Sequence, residues 1–205
     1  MKTNNLISNL QNNIQKSENG KIFFLPSTDF SIFNNSENLH FVGFGGAGSN
    51  TIEYLHAKGI KAKFTCISNP VRPNISDEID FIHYIYSLEN QLPTTILDIF
   101  ESDEKFIILS GIGGNTGTSF TMSISRLLHK KKIPFLTISS FPFKFESQDR
   151  NSLSNLVLRK LDNVPNFRYY TFPEIKALFN TKMNPKELFE KVNELIYELY
   201  LANKA

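Results

Sequence analysis

The sequence contains little of several features that would assign a protein class at once. It has a single cysteine, Cys66, and no tryptophan among its 205 residues. A lone cysteine excludes an intrachain disulfide and a zinc site built from cysteines. No apolar run approaches the roughly 18 residues that a membrane span needs, and the N-terminus lacks the apolar stretch of a secretory signal. The sequence therefore predicts a soluble, cytoplasmic protein without a membrane span.

The sequence also lacks a large excess of positive or of negative charge. The 22 Lys and Arg residues oppose 20 Asp and Glu residues, which leaves a formal net charge of +2. A protein that binds nucleic acid through its overall charge is expected to be far more basic. The run 129–132, His-Lys-Lys-Lys, lies at the end of a predicted helix, where positive charge suits the helix dipole. It is interpreted as a solvated helix end, and no nucleic-acid partner is expected.

The chain is long enough to bury the core of one domain, because 40 % of its residues are hydrophobic. Residues 1–38 are polar and rich in asparagine apart from the short apolar run 22–25, and they are interpreted as an N-terminal extension. Over residues 39–205, short apolar strands alternate with helical patterns, without a repeat or a linker. This alternation predicts an α/β domain with a doubly wound, mostly parallel sheet and helices on both faces.

Strands are predicted from continuous apolar runs, and helices from apolar residues three and four positions apart. The predicted strands are Leu39–Phe44, Lys63–Ser68, 105–110, 134–139 and 167–172. The predicted helices are 49–58, 94–101, 116–130, 148–160 and 186–201. The last helix has the most regular spacing, and Asn184 with Pro185 suits its start. Residues 71–90 fit either a strand or a short buried helix.

Two of the predicted strands end in glycine-rich segments that lead into a helix. The first is 43–50, Gly-Phe-Gly-Gly-Ala-Gly-Ser-Asn, and the second is 111–119, Gly-Ile-Gly-Gly-Asn-Thr-Gly-Thr-Ser. Glycines let the backbone approach an anion closely, and a helix N-terminus offers N–H groups and partial positive charge. Ligands of a doubly wound sheet bind at the carboxyl ends of its strands. The two segments together predict a polyphosphate site, with tight strand-to-helix packing as the alternative reason for the small residues.

The first segment also fits the Gly-x-Gly-x-x-Gly pattern of dinucleotide-binding proteins, which is a weak signal by itself. Such a protein needs an acidic residue at the end of its second strand, about 20 residues further on, to hold the ribose. Here that strand is followed by Asn69 and Pro70, with no carboxylate. A P-loop is excluded because no Gly-Lys-Ser/Thr follows the glycines. An NAD(P) oxidoreductase is therefore a disfavoured alternative.

The two glycine-rich segments and a third, 142–150, resemble motifs of the tubulin/FtsZ family in the order in which that family carries them. GGAGSN is similar to the family's first phosphate loop, GGNTGTS to its signature loop GGGTGTG, and PFKFESQDR to a PF-x-FEG-x-x-R segment. The resemblance covers roughly residues 39–202. It implies a guanine nucleotide, GTP or GDP, with Mg²⁺ accompanying a triphosphate. It also implies self-association, or a full-length FtsZ-like homologue as partner.

The resemblance further implies which residues hold the nucleotide. The phosphates would be lined by Gly45, Gly46, Ala47, Gly48 and Asn50, and by Gly113, Gly114, Asn115, Thr116, Gly117 and Thr118. Glu146 would accept hydrogen bonds from the ribose hydroxyls, and Arg150 would approach the phosphates. On the last helix, Phe189 would stack on guanine and Asn193 would hydrogen-bond its edge. Judged as isolated residues, Glu146 and Arg150 also fit a solvated ion pair, and Phe189 fits core packing.

Departures from the family pattern fall on the γ-phosphate side. Asn115 and Ser119 stand where the family has glycines, and Pro70 stands where it has an aspartate. Residues 71–95 contain no glycine, although a third glycine-rich loop is expected there. The family's catalytic aspartates and second domain would follow Ala205. We therefore expect a nucleotide-binding domain with little or no GTP hydrolysis of its own, acting as a binding or regulatory partner. The alternative is an interaction module that has lost nucleotide binding.

Overall fold

A computed structural model describes residues 30–34, 37–69, 74–84, 92–143, 145–161, 163–179 and 183–204. The strands among them are β1 (Leu39–Phe44), β2 (Lys63–Ser68), β3 (Asp80–His83), β4 (Lys105–Gly111), β5 (Phe135–Ser140) and β6 (Phe167–Tyr170). The helices are α1 (Gly45–Ala57), α2 (Thr94–Leu97), α3 (Asn115–Lys131), α4 (Gln148–Leu161), α5 (Phe172–Phe179) and α6 (Pro185–Asn203), with 3₁₀ turns at Ser31–Phe33 and Asp98–Glu101. In this described part of the chain, no helix is long and apolar enough to span a bilayer.

All strands of the sheet are parallel, and their order is β3-β2-β1-β4-β5-β6. Phe41 of β1 pairs with Phe64 of β2 on one side and with Ile107 of β4 on the other. The order of the strands reverses between β1 and β4, which opens a crevice at their carboxyl ends. This confirms the doubly wound α/β sheet and brings both glycine-rich segments to that crevice.

Helices cover both faces of the sheet, and a separate apolar layer lies under each set. Ile52 of α1 and Val192 of α6 pack with Phe41 in one layer, whereas Ile124 of α3 and Val157 of α4 belong to the other. Each such side chain contributes about 1.5–3 kcal/mol when it is fully buried. A sheet covered on both faces needs strands that are apolar throughout, which explains their continuous apolar runs.

The segment that precedes β1 contributes to the first of these layers. Phe33, in the turn Ser31–Phe33, is fully buried. Its ring centroid lies 6.5 Å from that of Phe41 and 6.0 Å from that of Tyr200 on α6. The end of the polar N-terminal segment is therefore packed against the domain. The apolar run 22–25 lies outside the described residues.

The start of α6 agrees with its sequence signals. The Asn184 side chain accepts a hydrogen bond from Glu187 N at 3.0 Å, and the Glu187 carboxylate accepts one from Asn184 N at 2.9 Å. This reciprocal capping box, with Pro185 at the first helical position, fixes where the helix begins. Within 71–90, the described part contains the strand β3.

Three predictions about the elements are wrong. The predicted strand 167–172 ends at Tyr170, and the unpredicted helix α5 follows it. This helix starts here because Glu174 accepts a hydrogen bond from Thr171 N at 2.9 Å and because Pro173 suits a first helical turn. The helix predicted at 49–58 begins at Gly45, so most of the first glycine-rich segment is already helical. The helix predicted at 94–101 divides into α2 and a 3₁₀ turn, inside which Phe100 leaves the helical dihedral range.

Two glycines let α1 and α3 rest directly on the end of β4. A Cβ added at Gly48 would lie closer than 3.0 Å to the carbonyl oxygen of Leu109, and one added at Gly117 would be equally close to that of Gly111. Real Cβ atoms essentially never show such distances. A Cβ at Gly46 or Gly114, by contrast, would meet no heavy atom within 4 Å. Packing therefore accounts for Gly48 and Gly117 but not for Gly46 and Gly114.

A buried histidine lies at the opposite, amino end of the sheet. His40 Nδ1 is 2.7 Å from the Glu104 carboxylate, and His40 Nε2 is 2.8 Å from Thr65 Oγ1. Burial lowers the pKa of His40 below its ordinary value of 6.5, against the opposing effect of the Glu104 hydrogen bond and charge. The charges of Lys63 and Asp80 have smaller effects on this pKa. The folded protein therefore favours the neutral imidazole.

We expect Gly48→Ala to destabilise the fold and Gly46→Ala to leave it intact. The methyl group at position 48 must push α1 away from β4, an overpacking that costs about 1–3 kcal/mol. At position 46 the methyl meets open space, and alanine is a better helix residue than glycine. Thermal unfolding followed by circular dichroism checks the pair. Equal melting temperatures for the two variants would contradict the close approach of α1 to β4.

We also expect the free energy of unfolding to decrease as the pH falls below about 6.5. The unfolded chain protonates His40 near that pH, whereas the folded chain does so only at a lower pH, so acid favours unfolding. Glu104, whose pKa is also lowered, adds a loss only at pH values below its ordinary value of 4.5. Urea unfolding at several pH values measures the slope, which should be smaller in His40→Gln.

The matched control for that experiment is His83→Gln, because His83 is exposed at the end of β3 and lies at no helix terminus. Its slope should equal that of the parent. The contradicting result is that the His40→Gln variant and the parent lose the same free energy of unfolding between neutral pH and the onset of Glu104 protonation. That result would show that the buried histidine does not cause the loss of stability in acid.

Candidate functional site

A cleft lies at the carboxyl ends of β1 and β4 and has a volume of about 260 Å³. It combines backbone groups, small hydroxyls, four aromatic rings and one ion pair. Its lining residues are Phe44, Gly45, Gly46, Ala47, Ser68, Gly111, Ile112, Gly114, Asn115, Thr116, Gly117, Ser140, Phe141, Pro142, Glu146, Arg150, Phe172 and Phe189. The residues of both glycine-rich segments thus meet at one place, although about 65 positions separate them in the chain.

The N-termini of two helices face this cleft. Helix α1 begins at Gly45 and α3 begins at Asn115, and both residues line the cleft. A Cβ at Gly45 would lie 3.5 Å from Gly117 N, so the two helix starts are close together. Neither helix receives a side-chain hydrogen bond from its N-cap residue, and neither has an acidic residue in its first turn. The partial positive charge of both helices is therefore directed at the cleft without a compensating carboxylate of their own.

The turn between β4 and α3 depends on one glycine and one threonine. Gly113 has a φ of +103°, a conformation that residues with side chains rarely adopt. Gly113 N donates a hydrogen bond to Thr118 Oγ1 at 3.0 Å, and Thr118 is buried. Both residues therefore shape the turn from behind the cleft. Asn115 is exposed, and it is not among the described residues that combine a side chain with a positive φ.

Glu146 and Arg150 both line the cleft and bind each other. Arg150 Nη1 donates to Glu146 Oε2 at 2.6 Å, and Phe143 N donates to Glu146 Oε1 at 2.7 Å. The Arg150 side chain remains 54 % exposed. The ion pair between these two side chains is therefore present, and both of its members line the cleft.

Aromatic rings form one wall of the cleft. Phe189 is half-buried, and its ring centroid lies 4.6 Å from that of Phe172 in an edge-to-face arrangement. Phe172 in turn stacks on Phe143, with centroids 4.0 Å apart and an interplanar angle of 10°. Sequence reasoning missed Phe172 because it was assigned to a strand. The sequence signal for a helix here is Pro173, because proline is favoured in a first helical turn.

Five of the predicted site residues are not part of the cleft lining, namely Gly113 and Thr118 behind the turn and three residues on α1 and α6. Asn193 is buried between α6 and α1, where its Oδ1 accepts a hydrogen bond from Thr51 Oγ1 at 2.8 Å. Gly48 is packed on β4, and Asn50 is exposed one turn further along α1. The structure thus brings together the backbone and the ribose-side residues of the prediction, but it does not place Asn193 at the cleft.

Ser68 is a cleft residue that sequence reasoning missed. It ends β2, is fully buried, and its Oγ forms no hydrogen bond with any described residue. Leaving a buried hydroxyl without a partner costs about 1–3 kcal/mol. The dinucleotide-binding pattern points to a carboxylate at the end of the second strand and carries no signal for a neutral hydroxyl there.

The cleft offers no metal site of its own. In the described ranges, no group of three or more His, Cys, Asp or Glu side chains is arranged to hold a metal ion. Glu146 is the only carboxylate that lines the cleft within the same ranges.

Comparisons with known proteins agree with the fold. No protein-family model matches the chain. Cell division protein FtsZ of Haloferax mediterranei is 26% identical over 145 residues, which are 62% of this chain and 38% of that relative. The structure of CetZ from Methanosaeta thermophila superposes with a TM-score of 0.64 at 16% identity and covers 80% of this chain and 54% of its own. An FtsZ dimer of M. jannaschii gives 0.61 at 21% identity and covers 78% and 52%.

The chain therefore spans about two fifths of the curated relative and about half of these solved structures. The relative found by sequence and one of the two solved structures are both FtsZ proteins. The structural matches agree with the parallel sheet that helices cover on both faces. The described residues therefore share the fold of these FtsZ and CetZ structures.

Proposed function

We propose that this domain binds a guanine nucleotide, GDP or GTP, in the cleft between β1 and β4. The observation that carries the proposal is the pair of helix N-termini that face one cleft without side-chain caps. Such an arrangement binds phosphate groups, because N–H donors and the helix dipoles act on the same anion. Gly114, where no packing excludes a side chain, keeps the backbone open to that anion, and packing does not require the glycine at position 46 either.

Ser68 supports the proposal from the other side of the cleft. Its buried hydroxyl forms no hydrogen bond within the described chain, and an oxygen of a bound nucleotide is an acceptor for it. The phosphates would thus be held by backbone N–H groups of 45–47 and 114–117, with Ser68 as a further donor. Any Mg²⁺ would bind mainly through the phosphates, since the cleft supplies a single carboxylate.

The ribose and the base would bind toward the aromatic wall. Glu146 can accept hydrogen bonds from ribose hydroxyls, and Arg150 adds positive charge beside the phosphates. Phe189 and Phe172 offer apolar ring surface to a planar base. The preference for guanine rests on the resemblance to FtsZ, because Asn193 is bonded to Thr51.

The same cleft supports little hydrolysis of GTP by this chain alone. A water molecule that attacks the γ-phosphate needs a group that orients it or accepts its proton. Among the described residues, Glu146 is the only carboxylate at the cleft, and both its oxygens are engaged by Arg150 and by Phe143 N. We therefore infer a binding or regulatory role in an assembly with FtsZ-like subunits. The dimeric state of the FtsZ from M. jannaschii is consistent with such an assembly.

A second candidate function is that of an interaction module which no longer binds nucleotide. Two contacts favour it, since Asn193 is turned to Thr51 and Glu146 is paired with Arg150. The cleft volume of about 260 Å³ also lies below the range of about 300–1,000 Å³ that is typical of small-ligand pockets.

We expect the purified protein to bind a fluorescent GDP analogue with a dissociation constant in the micromolar range, equivalent to about −8 kcal/mol. Unlabelled GDP and GTP should displace the analogue, whereas ADP, ATP and NAD should not. Fluorescence titration measures both the affinity and the competition. Absence of binding at high micromolar analogue would reject the nucleotide proposal in favour of the interaction module, and displacement by NAD alone would favour an oxidoreductase.

We expect Ser68→Ala to weaken GDP binding while it preserves or raises the stability of the ligand-free protein. The variant loses one hydrogen bond to the ligand, worth about 1 kcal/mol or roughly fivefold in affinity, and removes a buried hydroxyl that has no partner. Ser49→Ala is the matched control, because Ser49 is equally buried and unpartnered but does not line the cleft. It should change stability in the same direction and leave the affinity unchanged. Equal affinities for both variants would remove Ser68 from the site.

A further inference from the structure

A second concave surface lies between α3 and α4, with a volume of about 530 Å³. We call it the basic groove and define it by four cationic or titratable residues around two apolar ones, namely Arg126, His129, Lys130, Lys160, Leu127 and Val164. It shares no lining residue with the nucleotide cleft. Because the nucleotide cleft lies at the N-terminus of α3 and the groove lies along its last turns, the two surfaces are at opposite ends of the domain.

The cations of the basic groove are not neutralised within the described chain. Arg126, Lys130 and Lys160 are exposed and form no ion pair with any residue that the structure describes. Their neighbour Lys131, by contrast, donates to Glu101 at 3.2 Å. Helix dipoles favour Lys130 and Lys160 in the last turns of α3 and α4. They do not explain Arg126, which precedes the last turn of α3.

The floor of the basic groove is apolar and recessed. Leu127 is half-buried, and Val164 is 7% exposed. A surface that inserts into a bilayer needs protruding apolar side chains. The exposed large apolar residues of the described chain are Phe145, Leu156 and Leu201, and none of them lines the groove. The groove is therefore shaped to receive an apolar side chain rather than to insert one into a membrane.

The charge pattern also argues against nucleic acid as the ligand. A nucleic-acid surface is typically an extended basic track on a strongly basic protein, with aromatic rings where single strands stack. Here the sequence pI is only about 8.5, the groove contributes three Lys and Arg side chains, and no Phe, Tyr or Trp is among its described lining residues. Positive charge around a recessed apolar floor instead complements carboxylates that flank an apolar side chain.

We propose that the basic groove binds an acidic peptide segment of a partner protein. Its carboxylates would pair with Arg126, Lys130 and Lys160, and one apolar side chain of the segment would pack on Leu127 and Val164. The segment is defined by this chemistry, in which Asp or Glu residues flank a Leu or a similar residue. The site is independent of nucleotide binding, since the groove and the cleft have no residue in common.

The test is fluorescence anisotropy with a short fluorescein-labelled peptide in which Glu residues flank one Leu. The full chain should bind it, and salt should weaken the binding because charged pairs near the surface are screened. The double variant Arg126→Glu with Lys160→Glu should lower the affinity at least about tenfold, as expected when attractive charges become repulsive. The control is Lys61→Glu with Lys176→Glu, which makes the same change in net charge at exposed lysines outside the groove.

The control variant should bind the peptide within about twofold of the parent, since only long-range charge has changed. A milder pair, Lys130→Gln with Lys160→Gln, should weaken binding by a smaller factor, and circular dichroism verifies that every variant is folded. Equal losses in the groove variant and in the control would overturn the proposal. It would also fail if a peptide with Ser in place of Leu bound equally well. Tighter binding of a single-stranded oligonucleotide, or of vesicles containing phosphatidylserine, with the same variant sensitivity would assign the groove to those ligands instead.

Discussion

The absence of side chains at Gly48 and Gly117 is the constraint on which this fold and its cleft depend. The carbonyl oxygens of Leu109 and Gly111, at the end of β4, occupy the space that a Cβ would need at these two positions. Helices α1 and α3 lie on opposite faces of the sheet, yet both rest on the same strand end. Their N-termini consequently face one cleft, and the proposed anion site would arise from the way in which the helices pack.

The glycine-rich segments allow two explanations, tight strand-to-helix packing and a polyphosphate site, and each concerns a different pair of glycines. Packing requires Gly48 and Gly117, whereas Gly46 and Gly114 face space that packing leaves open. A protein that needed only tight packing would tolerate larger residues at the second pair. Glycines at these two positions, beside two helix starts whose N-cap side chains form no capping hydrogen bond, support the proposed ligand site over a turn that is only compact.

The sequence predicts the sheet well because each strand is covered on both faces and is apolar throughout. It fails at α5, where Phe172 continues an apolar run although Glu174 already bonds to Thr171 N and starts a helix. It also fails at the start of α1, since glycines in a first helical turn look like loop residues. In both cases a local hydrogen bond or a close tertiary contact overrides the composition of the segment.

In the candidate site, local sequence motifs determine where the backbone groups lie, whereas distant contacts determine where some of the side chains lie. Gly46, Gly114 and Thr116 reach the cleft because the motif fixes a strand end and a helix start, which are local features. The position of Asn193 depends instead on Thr51, 142 residues away, and no pattern along α6 reveals that partner. Ser68 is found at the cleft because β2 pairs with β1, and its missing hydrogen bond becomes visible only in three dimensions.

Helix α3 connects the two surfaces that we assign to anionic ligands. It has 17 residues, so at 1.5 Å per residue it is about 25 Å long. Its N-terminus attracts phosphate through its own dipole, whereas its C-terminal turns attract cations, and those cations make the basic groove. The first cation of the groove on this helix, Arg126, lies 11 residues after Asn115, about 16 Å along the axis, or about two Debye lengths at physiological ionic strength. A nucleotide in the cleft and an acidic peptide in the groove therefore need not compete, and one domain can hold both at once.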